Sequence, residues 1–462
     1  MEAVRRAGEG VKVRAFVVIA FAACAVKKEE TPPTPWAPGT VLSQTHAVNA
    51  RGFVELRGLI HAHSIYSHDA CDGAPHDENG VYNQPCLADF RFGACAVQHD
   101  FFFLTDHGDS FESNEFPDVL LYDSTKGDEL ISRGGGPVAN KLKCPSGSTA
   151  LVMAGTETGT MPVGLEGHLG AREYGRQDNE QLDAYRTANG VTLVPHLEDW
   201  TEDQLTDMHL DGFEMFNLHR NALQNAGVAA DLLFNYVNAG KNAELPHPDL
   251  FLASFVLDDP LYLQRWGTVL SRGAHRVTTF GSDCHQNTFP DKLADGERID
   301  SYRRMMAAFS NHLLVRPKSD GTWDDANLKD ALREGRNFGV FEFLGYAEGF
   351  DFYAREGSTS KELGETATAG STLVATMPHV RNLDTDGEQP TLTMILYKAK
   401  DGGWDEVART SDAKLEFVAA VTGAYRVEVR MVPRHLRPWA NQHLEFFRLE
   451  RPWVMSSALY VQ

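Results

Sequence analysis

Histidines and carboxylates recur at short spacings in several places along the chain. His61 and His63 lie two residues apart in an apolar run, and Asp283 and His285 repeat that spacing far downstream. Alternate residues of an extended strand share a face, so each pair presents two donor groups to one side while Ala62 and Cys284 point to the other. Asp106-His107, Glu157 and His196 each close an apolar, strand-like run. Gathering so many titratable groups is unfavourable without a compensating charge. A divalent cation supplies that charge and turns a water into a nucleophile at neutral pH. The residue types therefore point to metal-dependent hydrolysis. Glu214 and Asn217 close another apolar run and are candidates for the same pocket. His219 and Arg220, just beyond, are candidates for contacting an anionic substrate, while no residue stands out as general acid.

These groups need elements that bring them together. Strand-like runs occupy 53–63, 101–107, 150–157, 191–198, 212–219, 277–285 and 311–317. Between several of them lie helix-like segments such as 179–190, 221–240 and 259–273. Alternation of this kind predicts βα units around a parallel sheet, whose strand C-termini converge on one rim if it closes into a barrel. The stretch 108–148 is rich in Gly, Ser and Asp and reads as a loop insertion over one face. Beyond 346 the texture changes to β-type runs at 391–399, 414–421, 424–432 and 453–462, separated by Gly and Asp turns. That pattern predicts an antiparallel sandwich-like domain over 346–462.

The ordered set HAHSIYSHDA (61–70), FLTDHGD (103–109), GTE (155–157), VPH (194–196) and GSDCH (281–285) resembles the motifs of the PHP superfamily, the polymerase and histidinol phosphatase metallohydrolases. The resemblance covers about residues 50–340 and implies a distorted (β/α)7 TIM-like barrel over 50–345. It also implies two or three Zn, Mn or Fe ions at the strand C-termini. Carried over residue by residue, it implies metal ligation by His61, His63, His107, Glu157 (the bridging glutamate), His196, Asp283 and His285. A further family histidine corresponds to His168 in GHLG. The first motif departs from the usual Ser-Asp-Gly ending, because Ser67-His68-Asp69 stands there. His68 takes the position of the family's aspartate and is favoured, with Asp69 the alternative. Asp106 is expected to orient a ligand from behind.

The 462 residues carry a formal net charge of −21, which disfavours nucleic acid as a partner and favours a small-molecule substrate. Basic residues precede the apolar run 15–26, which is too short for a comfortable membrane span and fits a signal peptide. Residues 1–24 end in Phe21-Ala22-Ala23-Cys24, similar to a lipoprotein cleavage box, and 25–49 form a Pro-rich tether. The expectation is an exported protein, periplasmic or at the cell surface, whose membrane attachment is a lipid on Cys24. Export permits disulfides: Cys71, Cys86, Cys95 and Cys144 suffice for two bridges in unspecified pairing, with Cys284 left over.

The arrangement of leader, barrel and C-terminal β-domain is similar to the branch that includes carbaryl-type hydrolases. The leading expectation is a phosphoesterase, with a carbamate or carboxylic ester hydrolase next. A surface lipoprotein that only binds is the reading from a different class, distinguished by whether the metal keeps an open position for water.

Overall fold

The computed structural model describes residues 34–462 apart from 44, 171, 173, 223, 225–245 and 442–446. The expected signal peptide, the start of the tether and most of the helix-like stretch 221–240 lie outside the described residues. Strands of the first part are β1 (Val54–Ala62), β2 (Phe101–Phe103), β3 (Asp106–His107), β4 (Glu129–Arg133), β5 (Gly136–Lys143) and β6 (Thr149–Glu157). They continue with β7 (Met161–Leu165), β8 (Val191–Leu193), β9 (Gly212–Asn217), β10 (Val277–Cys284), β11 (Ser310–Val315) and β12 (Asn337–Val340).

Most of these strands are near-continuous apolar runs because both of their faces are buried. Along β1, Leu56 and Ile60 join Phe101, Phe103, Leu151, Met153, Val163 and Leu193 in one cluster, completed by Leu328 and Leu332 of the helix Asp325–Arg333. The intervening residues Leu59, Phe102 and Val152 belong to a second, larger cluster on the opposite face.

The pairing is mixed. β1 pairs in parallel with β2, and β2 with β6. On its other edge β1 pairs antiparallel with β11 up to Gly58, then parallel with β10 from Ile60 onward. β10 pairs in parallel with β9. β6 pairs antiparallel with β7, and β7 antiparallel with β8. Val194, just after β8, donates to the Gly212 carbonyl and accepts from the Glu214 N–H, which links that segment to β9. The fold is thus mixed α/β, with one large mixed sheet and further antiparallel sheets.

The stretch 108–148 is not a loop. It contains the short helix Gly108–Ser113 and a hairpin, β4–β5, whose second strand pairs with β6 from Asn140↔Val152 to Lys143↔Thr149. Its polar composition reflects partly exposed strands at the sheet margin. Two disulfides, Cys71–Cys86 and Cys95–Cys144, tie the helix Gln84–Ala96 to the turn after β1 and to the end of β5, and Cys284 is a free, buried thiol.

The described residues of 346–462 are mainly β-type and mostly antiparallel, with one short parallel pairing, Thr366–Ala367 with Leu459–Val461. Asp351–Glu356, Thr359–Lys361, Thr372–Thr376 and Lys414–Val418 form one four-stranded sheet. The strands Thr391–Lys400, Gly403–Thr410, Gly423–Val432 and Arg451–Ser456 form another ladder, and Arg451–Ser456 pairs with β12. The sheet of the first part therefore runs on into the C-terminal strands. A buried cation reinforces this junction: the Arg426 guanidinium lies 4.6–4.7 Å from the ring centres of Trp266, Tyr397 and Trp404 and pairs with Glu428 at 2.8 Å. Among the described residues no helix is long and apolar enough to cross a membrane.

Candidate metal centre

Eight of the expected residues converge where β1, β3, β6, β8 and β10 end. His61, Glu157, His196 and Asp283 offer ligand atoms within 4.8 Å of one another, and so do His63, Asp69, His107 and His285. The two groups are contiguous. Glu157 Oε2 lies 3.2 Å from His61 Nε2 and 3.1 Å from His63 Nε2, while its Oε1 lies 3.0 Å from His196 Nε2. Asp283 Oδ1 lies 3.2 Å from His61 Nε2 and 3.4 Å from His63 Nε2. His219 adds a third group with Asp283 and His285, its Nδ1 3.4 Å from Asp283 Oδ2.

Backbone geometry makes this convergence. In the β1–β10 ladder Ile60 pairs with Gly281 and Ala62 with Cys284, so β10 carries one extra residue. Such a bulge redirects side chains locally. At the bulge Asp283 has φ +53°, and across from it His61 has φ +69°; His196 after β8 has φ +49°. Left-handed backbone at a non-glycine residue costs energy and persists only where the surroundings enforce it. Here Ser282 Oγ donates to the His61 carbonyl at 2.6 Å. Gly281 leaves room for the Glu214 carboxylate, which a methyl group at that position would overlap.

Partners behind the cluster fix how each ring faces. Glu214 Oε1 takes the Nδ1–H of His61 at 2.6 Å, and Asn217 Nδ2 donates to Glu214 Oε2 at 2.9 Å. Ser67 Oγ gives its proton to Asp69 Oδ1, so it can only accept from His63 Nδ1 (3.1 Å) and from the His107 N–H (3.2 Å). His285 Nδ1 donates to the Asp283 carbonyl at 2.8 Å. His61, His63 and His285 thus all turn Nε2 inward, the orientation that metal-ligating histidines take. Asp283 Oδ1 and His285 Nε2 are buried and make no hydrogen bond of good geometry. Imidazole and carboxylate groups so arranged could hold metal ions.

Charge is also organised for a cation. Burial alone would lower the pKa of His61, but Glu214, Asp283 and Glu157 hold it well above the usual imidazole value. Burial is likewise outweighed at His63 and His196: Asp283 and Glu157 raise His63 to about 9, and Glu157 with Asp283 raises His196 to about 9. Glu157 and Asp283 stay well below ordinary carboxylates despite burial, chiefly through the charge of His61. His285 goes the other way, to about 3, because it is buried and stacks on His63 with ring centres 3.7 Å apart. Two stacked imidazoles do not share well in positive charge.

Several expected site residues lie elsewhere. The choice in the first motif falls on Asp69: its Oδ2 is 3.5 Å from His107 Nε2 and 3.3 Å from His285 Nε2. His68 instead points out to solvent and meets Asp109 at 3.0 Å, because the turn after His63 carries one residue past the centre before Asp69 faces it. His168 is not in the cluster. β7 runs antiparallel to β6, so its last residue, Leu165, sits beside Ala154 and not beside Glu157. His168 is held by the Tyr174 hydroxyl and the Asn114 carbonyl, against Phe111 and Phe116. Asp106 orients no ligand directly; it accepts from the N–H and hydroxyl of Ser64 and so braces the turn that carries Ser67. Arg220 stands between Glu198 and Asp259, 3.8 Å from each, off the cluster. Ser67 and Ser282 escaped the sequence reading although both lie inside recognised motifs, since nothing in a serine's spacing announces a hydrogen-bonding role. A further acidic group, Asp249, Asp295 and Glu297, is ion-paired with Arg303 and Arg304.

Comparison with family profiles, with curated proteins and with solved structures returned no match.

Proposed function

We propose that the chain is a metal-dependent hydrolase of the PHP type that binds two or three Zn, Mn or Fe ions at this rim. The observation that carries the reading is Glu157, whose two oxygens reach both ligand groups at once. The sequence of pairings β1–β2–β6–β7–β8–β9–β10–β1 supports a distorted seven-stranded barrel, in which ligands at strand C-termini meet on one side. Divalent ions, when bound, polarise the substrate oxygen and lower the pKa of a water. The chain's own residues hold that chemistry in place. Glu214 and Ser67 keep His61 and His63 facing inward, Ser282 pins the strained His61 peptide, and Asp106 secures the turn. His219, a third exposed, stands at the edge where substrate would enter.

Phosphoesters are the leading substrates, as the motif set implies. One observation favours carbamates or carboxylic esters as a second reading: the cleft beside Asp283 and His285 has mostly apolar walls and, among the described residues, no Lys or Arg in its lining. Export belongs to the same proposal, and the two disulfides support an oxidising compartment.

The test is metal analysis of purified protein, followed by assays on bis-p-nitrophenyl phosphate, p-nitrophenyl phosphate and naphthyl carbamates with added Zn or Mn. The joint substitutions His61→Ala with His63→Ala, or Asp283→Ala with His285→Ala, are expected to abolish metal retention and turnover while circular dichroism stays folded. Retained activity in either would defeat the assignment, and metal without any turnover would favour a protein that only binds.

A further inference from the structure

Asp69 is the candidate ligand that lies furthest from a strand. β1 ends at Ala62, whereas His63 and His285 directly follow strands, His107 and Glu157 end theirs, and His196 comes soon after β8. The turn that carries Asp69 is also unfavourable by itself, because Cys71 and Asp72 both have φ +59°. Consecutive left-handed residues that are not glycine persist only where the surroundings hold them. Here the N–H groups of Cys71 and Asp72 donate to the carbonyls of His285 and Gln286, each at 3.0 Å. That lays the turn along the segment after β10 and sets Asp69 Oδ2 3.3 Å from His285 Nε2. Asn287 Nδ2 donates to the Asp69 carbonyl at 3.0 Å, and Arg298 takes both oxygens of Asp72 at 2.9 Å. The Asp72 side of that ion pair is half-exposed, so the pair contributes little.

One tie is covalent. Cys71, inside the turn, is bonded to Cys86 of the helix Gln84–Ala96, and both cysteines are buried. The helix is fixed by other means as well. Phe90 is buried against Tyr302 with ring centres 4.8 Å apart, Arg91 pairs with Asp128 at 2.8 Å, and Cys95 is bonded to Cys144. Cys86 thus offers a steady anchor to a turn that the other contacts hold weakly. We propose that the Cys71–Cys86 disulfide positions Asp69 for metal retention. Closed, it keeps the carboxylate facing His107 and His285; open, it releases the turn and weakens retention by His63, Asp69, His107 and His285. The group of His61, Glu157, His196 and Asp283 contains no residue of this turn and keeps its affinity. This rests on the metal-centre reading above and deepens it: the site is completed only where the chain's thiols are oxidised.

Mn titration against a competing chelator, on the full chain, tests the proposal. With Cys71→Ser and Cys86→Ser together, the affinity for one Mn ion is expected to fall about 10- to 100-fold, the scale set by partners that orient a ligand. With Cys95→Ser and Cys144→Ser together, Mn affinity should match the wild type while the melting temperature drops. A bond that only stabilises the fold lowers the melting temperature in both variants and Mn affinity in neither. Unchanged Mn affinity in the first variant, or an equal loss in both, would overturn the proposal. If the first variant fails to fold, the wild type still decides, because such coupling is reciprocal. Mn should then shift the glutathione redox ratio that opens Cys71–Cys86 by the same factor, and leave Cys95–Cys144 unmoved. Opening converts two glutathione thiols into one glutathione disulfide and returns Cys71 and Cys86 as thiols, counted by alkylation and mass spectrometry. An unshifted ratio would reject the coupling. If the wild type binds no metal, the metal-centre reading fails on its own, and hydrogen exchange decides the positioning. The N–H groups at positions 71 and 72 should exchange faster without the bridge, and equal rates would reject the proposal.

Discussion

Glu214 never touches the centre of the cluster with its own oxygens, yet it decides which nitrogen of His61 does. Its Oε1 holds Nδ1–H at 2.6 Å, and the whole arrangement is buried. Residues that orient a ligand in this way typically account for a 10- to 100-fold share of metal affinity. Glu214→Ala is therefore expected to weaken Zn or Mn binding by roughly 10- to 100-fold, and Glu214→Gln, which can still accept the N–H, by less. A chelator-competition titration reads both, and an unchanged affinity in the alanine variant would remove Glu214 from this role. At this scale the sequence was legible wherever spacing alone sufficed. His61, His63, Asp283 and His285 stand out because alternation on a strand is a period-two rule. The choice between His68 and Asp69 was not legible, since the turn that separates them has no period. Nor was the bulge at β10, where Asp283 and, across from it, His61 are left-handed without a glycine to mark them, as is His196 after β8.

At the scale of elements, apolar runs located most of the strands correctly. β1, β6, β9 and β10 appear within a residue or two of their expected bounds, and the helices Asn179–Thr187 and Pro260–Ser271 fall inside theirs. The hairpin β4–β5 was hidden because ELISR and GPVANKLK mix polar and apolar residues, as strands at a sheet margin do. His168 was misplaced for a related reason: motif order does not reveal that β7 runs antiparallel to its neighbours. The junction with the C-terminal strands was equally silent, because it joins β12 to a strand more than a hundred residues later and is reinforced by one buried arginine. Arg426 is buried among Trp266, Tyr397 and Trp404, with Glu428 as its counter-ion. Arg426→Ala leaves Glu428, among the described residues, with only Arg430 to neutralise it and empties the aromatic cage. A loss of about 3–5 kcal/mol in urea unfolding is expected, with the deficit reduced when Glu428→Gln is added. A loss below 1 kcal/mol would show that the cage contributes only packing.

The molecule as a whole should be sensitive to mild acid for reasons unrelated to the candidate metal centre. His99, buried and close to Arg57, is pushed down to about 3; His435, buried with its Nε2 on the Leu344 carbonyl, is pushed down to about 4. In both cases the folded state refuses a proton that the unfolded chain accepts from about pH 6.5 downward. Stability therefore falls as pH drops from 6.5 towards 4, by about 2 kcal/mol for each histidine at pH 5. Urea midpoints measured between pH 7 and pH 5 check this, and His435→Gln should flatten the slope; an equal slope in that variant would exclude His435 as a source. The pairing of β12 with Arg451–Ser456 has a different kind of consequence, one of timing. The sheet that carries the candidate ligands takes part of its edge from residues made more than a hundred positions later. A chain emerging from the ribosome cannot finish that edge until nearly all of it has been synthesised, and such long-range closure is slow. Until then β12 has a partner on one side only, β11, and its other edge waits for a strand that comes late in the sequence.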